Sequence, residues 1–201
     1  MGESFVSVYA PNKSAGGERL EQAQVLLQEL ALLRPGQGIP VQVHLVEDET
    51  VNAMALPGGH IILFTGLLDK LTSSEELAFV LSHEMGHFAN RDHLRGVGRA
   101  LILQSLVVLV TGAESSMANS LTVFFTGVEM KFSQHQELAA DDYALHILHR
   151  RYGKVDGAAQ FMVKLLQEEK QGVLAYYFAT HPHPQERLRG IRKFARQNRM
   201  E

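Results

Sequence analysis

The sequence contains no cysteine, and no long apolar run occurs in its 201 residues. The lack of cysteine excludes disulfides, thiolate metal sites and cysteine nucleophiles. It fixes no cellular compartment, because a protein without cysteine is compatible with all of them. The longest apolar run, residues 101–110, is too short to cross a bilayer as a helix. We expect a buried core helix there, with a helix resting on a membrane surface or a partner as the alternative.

A strong charge of either sign is also missing. The formal net charge is −3 and 20% of the residues are charged, so a nucleic-acid partner is not expected. The hydrophobic fraction of 45% is that of a globular protein and not of a disordered chain. Residues 1–17 show neither the basic nor the apolar region of a signal peptide. The length suits one large or two small domains, and we predict a single domain over residues 1–201.

The most informative motif is H-E-M-G-H, which runs from His83 to His87. On an α-helix, residues i and i+4 lie on one face, so the two imidazoles can bind one tetrahedral zinc ion. Glu84 lies beside the first ligand, and its carboxylate can take a proton from a zinc-bound water. The pattern therefore predicts a zinc site of the metallopeptidase type on a helix. The alternative is an amphipathic helix whose histidines are only packed or solvated.

A catalytic zinc needs a third protein ligand, and two residues compete for that position. His93 would extend the motif to H-E-x-x-H-x-x-N-x-x-H. That pattern is like the metzincin signature, except that Asn90 stands where the signature has glycine. Such a site also needs a methionine turn, which Met117 or Met130 would have to supply.

Glu137, in the segment E-L-A-A-D, would instead complete a His₂Glu set from a second helix. Asp141 lies one turn further on the same face. It can accept the remaining N–H of His83 or His87 and so orient that ligand. The small alanines in this segment permit close helix packing. These features favour Glu137, and His93 stays open as the alternative.

Hydrophobic periodicity and turn signals predict an α+β protein that is mostly helical, with a small N-terminal sheet. The sheet part is expected over residues 38–70 and the helical part over residues 72–198. Predicted strands cover residues 41–46, 51–56 and 60–65. Predicted helices cover residues 18–33, 73–90, 94–110, 115–132, 134–151, 157–169 and 184–197. Ser73 and Glu76 predict a capping box at the start of the second helix.

Four separated segments together resemble the zinc peptidase family of the CAAX prenyl protease and HtpX, within the gluzincins. They are N-A-M-A-L-P-G-G-H-I from Asn52, H-E-M-G-H, E-L-A-A-D, and T-H-P-H-P from Thr180 with Arg187. The chain resembles the small soluble, envelope-associated bacterial members more than the multi-pass enzymes, because no spans are visible. One departure is Gln134, since the family commonly has arginine before the ligand glutamate.

The resemblance implies a role for each matching residue. His83, His87 and Glu137 would hold one zinc ion per chain. Glu84 would be the general base, and Asp141 would orient a ligand histidine. The fold implied is that of a minimal gluzincin, with an edge strand above the active-site helix.

For the C-terminal segment the resemblance leaves two roles open. His181 would face the metal, either as a donor that stabilises the oxyanion or as a fourth ligand that blocks the open position. Arg187 would pair with an acidic residue near the site. His183 is expected in an exposed loop. The other histidines outside the motif are expected to be ordinary packed or surface side chains: His44, His60, His135, His146 and His149.

The segment Asn52, Ala53, Met54 and Ala55 is expected to form the edge strand. An unpaired edge can bind an extended peptide through backbone hydrogen bonds, with little demand on its sequence. The sequence therefore predicts a zinc endopeptidase that acts on extended or unfolded protein segments. Protein or peptide substrates are the expected partners, and a membrane surface or envelope proteins are further candidates.

Two functions from other classes compete with the endopeptidase. One is a folding or assembly factor of the cell envelope, with latent protease activity. The other is a zinc-stabilised structural protein whose site is closed by four ligands. A location in the bacterial envelope or periplasm, with possible membrane association, is implied by the resemblance alone.

Overall fold

The structure is a computed structural model that describes residues 17–34, 38–92, 94, 95, 98, 105, 132–168 and 175–198. The first half of that chain contains α1 (Gly17–Leu33), β1 (Gln42–Val46), β2 (Ala53–Leu56), β3 (His60–Phe64), α2 (Thr65–Leu68) and α3 (Ser74–Ala89). The second half contains α4 (Gln134–Tyr152), α5 (Asp156–Glu168), α6 (Ala175–Thr180) and α7 (Pro184–Gln197). The mostly helical α+β class is confirmed.

The three strands form one mixed sheet in the order β1-β3-β2. β1 pairs in parallel with β3, and β2 pairs antiparallel with it. Phe64 N–H donates to the carbonyl of Asn52, so the backbone groups of Asn52 and Met54 point toward β3. Those of Ala53 and Ala55 consequently point away from β3, to the side where the described chain places no further strand; we call this side the free edge. This edge strand contacts α3, as the sequence predicted.

Helix α3 is the centre of the core. Every residue from 78 to 88 is buried, and the helix contacts α1, β2, α4 and α5. Ser73 caps the helix by accepting the N–H of Glu76. The predicted capping box is only half formed, because the Glu76 carboxylate accepts the backbone N–H of Thr72 and the ammonium of Lys164 instead.

Two small residues set the distance between α3 and α4. A Cβ on Gly86 would lie 2.8 Å from the Cα of Ala140 and 2.9 Å from its carbonyl oxygen. Only glycine fits this approach, which brings the E-L-A-A-D face of α4 against the H-E-M-G-H face of α3. At its start, α4 has a complete capping box between Ser133 and Gln136, and it ends at Gly153 in the left-handed conformation.

Most predicted elements agree with the structure to within two residues at each end. The short helices α2 and α6 were not predicted. The predicted helix over residues 115–132 and most of that over residues 94–110 lie outside the described residues. His93, Met117 and Met130 also lie outside the described residues, so the structure does not test the metzincin-like alternative. No helix in the described ranges is long and apolar enough to span a membrane.

Candidate metal centre

Three separate parts of the chain bring four side chains to one buried point. His83 and His87 come from α3, Glu137 from α4, and His181 from the turn after α6. One ligand atom from each lies within 4.8 Å of those of the others. The two Nε2 atoms of His83 and His87 are 3.2 Å apart. The Glu137 carboxylate lies 3.4 Å from the Nε2 of His87 and 3.6 Å from that of His83.

Asp141 anchors the first histidine. Its Oδ1 lies 2.9 Å from the Nδ1 of His83, and since a carboxylate only accepts, the imidazole donates Nδ1–H. Arg187, from the inner face of α7, donates to both oxygens of Asp141 at 2.7 and 2.8 Å. The same guanidinium lies 2.8 Å from the Glu137 carboxylate. Arg187 therefore connects the C-terminal helix to two acidic residues of the site.

These charges shift the pKa values of the acids and the base that they touch. Burial alone would raise the pKa of Glu137 and of Asp141, but Arg187 together with the neighbouring histidines more than offsets it and lowers both. Burial and the nearby guanidinium lower the pKa of His83 below its ordinary value. The two carboxylates are therefore ionised and His83 is neutral near pH 7.

A second carboxylate, not predicted from the sequence, anchors the other histidine. Asp92 lies 3.0 Å from the Nδ1 of His87 and accepts a hydrogen bond from Gln136 at 2.8 Å. Burial would lower the pKa of His87, but hydrogen bonds to Asp92 and Glu137 outweigh that effect and raise it to about 9. The ring of Phe132 stacks on His87 at 3.8 Å between centroids. His87 is thus held at its edge and on its face.

The arrangement fits a divalent metal ion. Because Asp141 and Asp92 each accept an Nδ1–H, the Nε2 atoms of His83 and His87 present lone pairs to a common point once His87 has lost its second proton. The ionised Glu137 adds a third lone-pair donor, in a site where all of these side chains are buried. Two imidazoles with one carboxylate are a catalytic metal set, and the carboxylates behind the histidines orient them for it.

Glu84 and the edge strand border this centre. Glu84 is buried, and within the described chain its Oε2 has no hydrogen-bond partner. His181 lies between the metal ligands on one side and Glu84 with the edge strand on the other. Its Nδ1 lies 3.4 Å from His83 Nε2 and 3.3 Å from Glu137. Its Nε2 lies 3.4 Å from the carbonyl of Ala53 and 3.7 Å from Glu84. His181 therefore fills the space between the metal ligands and the free edge of β2.

Two contacts in the segment around His181 were also not predicted from the sequence. The ring of Tyr177 stacks on that of His181 at 4.9 Å between centroids. The hydroxyl of Thr180 lies 3.4 Å from Asn52 Oδ1. Asn52 itself is buried, and its Nδ2 has no hydrogen-bond partner among the described residues.

The remaining histidines of the described chain lie outside the centre. His183 is exposed with φ 65° and precedes α7. His44 and His60 contact each other on the sheet, and His146 lies near Asp142 on the surface of α4. In the described ranges only His83, His87, Glu137 and His181 form a group that could hold a metal ion. Gln134, where the family commonly has arginine, is exposed.

Comparison with known proteins gives independent information. The profile of peptidase family M48 matches residues 18–195. The chain is 34% identical over 163 residues to the metalloprotease LoiP of Escherichia coli (78% of this chain, 63% of LoiP). It is 32% identical over 154 residues to the mitochondrial metalloendopeptidase OMA1 of Arabidopsis thaliana (75% and 31%). It is 27% identical over 173 residues to the beta-barrel assembly-enhancing protease of Escherichia coli (80% and 35%).

The chain spans less than two thirds of the length of each of these relatives. All four residues of the buried group, together with Glu84, Asp92, Asp141 and Arg187, lie inside the matched span. Because the profile covers well over half of the sequence, the protein belongs to peptidase family M48.

Proposed function

We propose that this protein is a zinc-dependent endopeptidase that hydrolyses extended or unfolded protein segments. The observation that carries the proposal is the convergence of His83, His87 and Glu137, with a carboxylate behind each histidine. The family match over residues 18–195 supports a single peptidase domain. The His₂Glu donor set favours zinc among the divalent metals.

Each residue of the centre then has a defined task. A bound zinc ion would polarise the scissile carbonyl and lower the pKa of a water molecule beside it. Glu84 takes the proton of the attacking water and later gives it to the leaving amine. Its Oε2, which has no hydrogen-bond partner in the described part of the chain, is placed to accept that proton. Asp141 and Asp92 keep His83 and His87 in the tautomer that leaves each Nε2 available for the metal.

His181 is proposed to close the site in the arrangement described here. The carbonyl of Ala53 only accepts, so His181 donates Nε2–H to it and turns an Nδ1 lone pair toward the other ligands. A fourth protein ligand of this kind excludes substrate from the open position. His181→Ala should then raise the rate of peptide hydrolysis. If His181 instead stabilises the oxyanion, kcat should fall by roughly 10²–10³. His183→Ala, at the exposed neighbour, is the matched control.

Strand β2 is proposed to bind the substrate along its free edge. The backbone groups of Ala53 and Ala55 point away from β3, next to the Nδ2 of buried Asn52, which has no hydrogen-bond partner in the described chain. Both alanines are buried and the Ala53 carbonyl accepts from His181, so His181 moves away before a peptide pairs here. An extended peptide can add to such an edge by backbone hydrogen bonds. Ala55→Pro removes one outward N–H and should raise KM with a small change in kcat. Unchanged peptide kinetics in a folded variant would contradict this role.

The choice of the third ligand is tested by zinc retention. Glu137→Ala should lose zinc during dialysis against a weak chelator, whereas His93→Ala should keep it. The reverse result would favour the metzincin-like alternative.

A second candidate function is an envelope assembly factor that holds substrates in the same cleft. Two observations favour it: the position of His181 between the metal ligands and β2, and a relative that is itself called a beta-barrel assembly-enhancing protease. A bacterial envelope or periplasmic location belongs to the same proposal. Full biological activity of a Glu84→Gln variant would favour this function over proteolysis.

The decisive test of the peptidase is hydrolysis of casein by the zinc-loaded chain. The native protein should cleave it, and Glu84→Gln should not, although the variant still binds zinc. Glu186→Gln, which changes a glutamate on α7 that pairs with Arg189, controls for the loss of one carboxylate. Equal cleavage by the native chain and Glu84→Gln would refute the proposed mechanism.

A further inference from the structure

Helix α7 presents an exposed face of one charge. Arg189, Arg192, Lys193 and Arg196 are all exposed. Their spacing of i, i+3, i+4 and i+7 places them on one side of the helix. We call these four residues the basic face of α7. Its length is about 10 Å along the helix axis, at 1.5 Å per residue.

Most of this positive charge is not neutralised. Arg189 donates to Glu186 on the same helix at 2.5 Å. In the part of the chain that the structure describes, no carboxylate lies within ion-pair distance of Arg192, Lys193 or Arg196. The whole chain has a formal net charge of −3. The basic face is therefore a local concentration of positive charge on a slightly acidic protein.

Exposed cations elsewhere in the described chain give a useful contrast. Arg19 pairs with Asp69, Arg151 with Glu29 and Lys154 with Glu75. Those three lie in different parts of the chain, and each has a carboxylate beside it, whereas Arg91 is exposed with no such partner in the described chain. The cations of α7 differ from all of these in standing together on one face with a single carboxylate among them.

The opposite side of α7 packs against the interior of the protein. Leu188, Ile191 and Phe194 are buried, and the helix contacts α4 and α5. Arg187, also on this inner side, reaches the metal centre. The apolar side chains are thus not free to insert into a partner, and the basic face forms a ridge of exposed charge along α7. Such a ridge suits a broad surface of negative charge more than a shaped ligand.

We propose that the basic face of α7 docks the protein onto an anionic phospholipid surface. Four Lys or Arg residues on an amphipathic helix are typical of binding to anionic headgroups, at about 1 kcal/mol per residue. The binding is electrostatic and peripheral, because no apolar side chain of this face enters the bilayer. In this orientation the metal centre lies behind α7, about one helix diameter (10–12 Å) from the headgroups.

The test is co-sedimentation of the whole chain with vesicles. One set contains phosphatidylcholine alone, and the other contains phosphatidylcholine mixed with phosphatidylglycerol. The test variant carries Arg192→Gln, Lys193→Gln and Arg196→Gln. The control variant carries Arg19→Gln, Arg151→Gln and Lys154→Gln, which removes the same number of positive charges elsewhere. Glutamine preserves helix propensity, and thermal melting of both variants checks that they fold.

The native chain and the control should sediment with anionic vesicles and not with neutral ones. The test variant should lose on the order of 100-fold in partition coefficient, from roughly fivefold per charge. Raising the salt to about 1 M, where the Debye length is about 3 Å, should release the native chain. Absence of anionic preference, or equal binding by the test variant, would overturn the proposal. Equal or tighter binding to single-stranded DNA at the same salt would also overturn it, in favour of a nucleic-acid partner.

Discussion

Replacing Gly86 with alanine should separate the two helices that build the metal centre. The added Cβ would lie 2.8 Å from the Cα of Ala140, a backbone atom that cannot rotate aside. Ordinary contact begins at 3.4 Å, so α3 and α4 must separate by about 0.6 Å. Overpacking of this kind costs about 1–3 kcal/mol, and the better helix propensity of alanine returns about 1 kcal/mol. We expect a net loss of about 1 kcal/mol in the free energy of unfolding.

The effect on the metal should be larger than the effect on stability. Glu137 moves with α4, and metal–ligand distances tolerate only about ±0.2 Å. Zinc affinity, measured by competition with a chelator, should fall at least about tenfold. Denaturant unfolding of the metal-free chain measures the stability term separately.

Gly190→Ala is the matched control for this change. Gly190 lies in α7, and a Cβ there meets only the side chain of Leu138, at 3.6 Å. This variant should gain about 0.5–1 kcal/mol from helix propensity and keep its zinc affinity. The reasoning is refuted if Gly86→Ala is as stable as Gly190→Ala and binds zinc with native affinity.

Three further predictions concern charges near the core. Asp92→Asn should lower zinc affinity roughly 10–100-fold, because a neutral partner polarises His87 less. Competition with a chelator measures this affinity, and an affinity equal to that of the native chain would contradict the prediction. Lys164→Met leaves the carboxylate of Glu76, which is 1% exposed, without its cationic partner. The free energy of unfolding, measured with urea, should fall by about 3 kcal/mol. A loss well under 1 kcal/mol would contradict the pairing. In the metal-free chain the pKa of His87 is raised to about 9, so its stabilising proton is fully present below about pH 6.5 and lost as pH rises through 9. Zinc binding between these pH values should release about one proton from His87, measurable by calorimetry in buffers of different ionisation enthalpy; no proton release would contradict this.

The longer helices and the sheet could be predicted from local sequence. Ser73 begins α3 and Ser133 begins α4 with a side-chain cap, and both helices carry apolar residues at helical spacing. The six-residue helix α6 has fewer than two turns, too few for a repeating pattern to be detected, and its position depends on packing of Tyr177 against Phe161. The half-formed capping box at Ser73 has a tertiary cause, since Lys164 of α5 attracts the Glu76 carboxylate.

The centre was predictable where it depends on helix geometry. The spacing of His83 and His87 on one helix, and of Glu137 and Asp141 on another, places each pair on one face. The approach of the two faces was indicated by small residues, and the contact of Gly86 with Ala140 confirms it.

Residues that reach the centre from irregular backbone could not be predicted in the same way. Asp92 follows a turn in which Arg91 has φ 56°, and no periodic pattern specifies that turn. Whether His181 enters the ligand group depends on the path of the chain between α6 and α7. The sequence left its two roles open for that reason.

Anomalous diffraction at the zinc edge from crystals of the zinc-loaded protein tests the central claim most directly. The account predicts one peak about 2.0–2.2 Å from the Nε2 atoms of His83 and His87 and from a carboxylate oxygen of Glu137. No peak between these three side chains, or a zinc ion bound by His93 in place of Glu137, would contradict it.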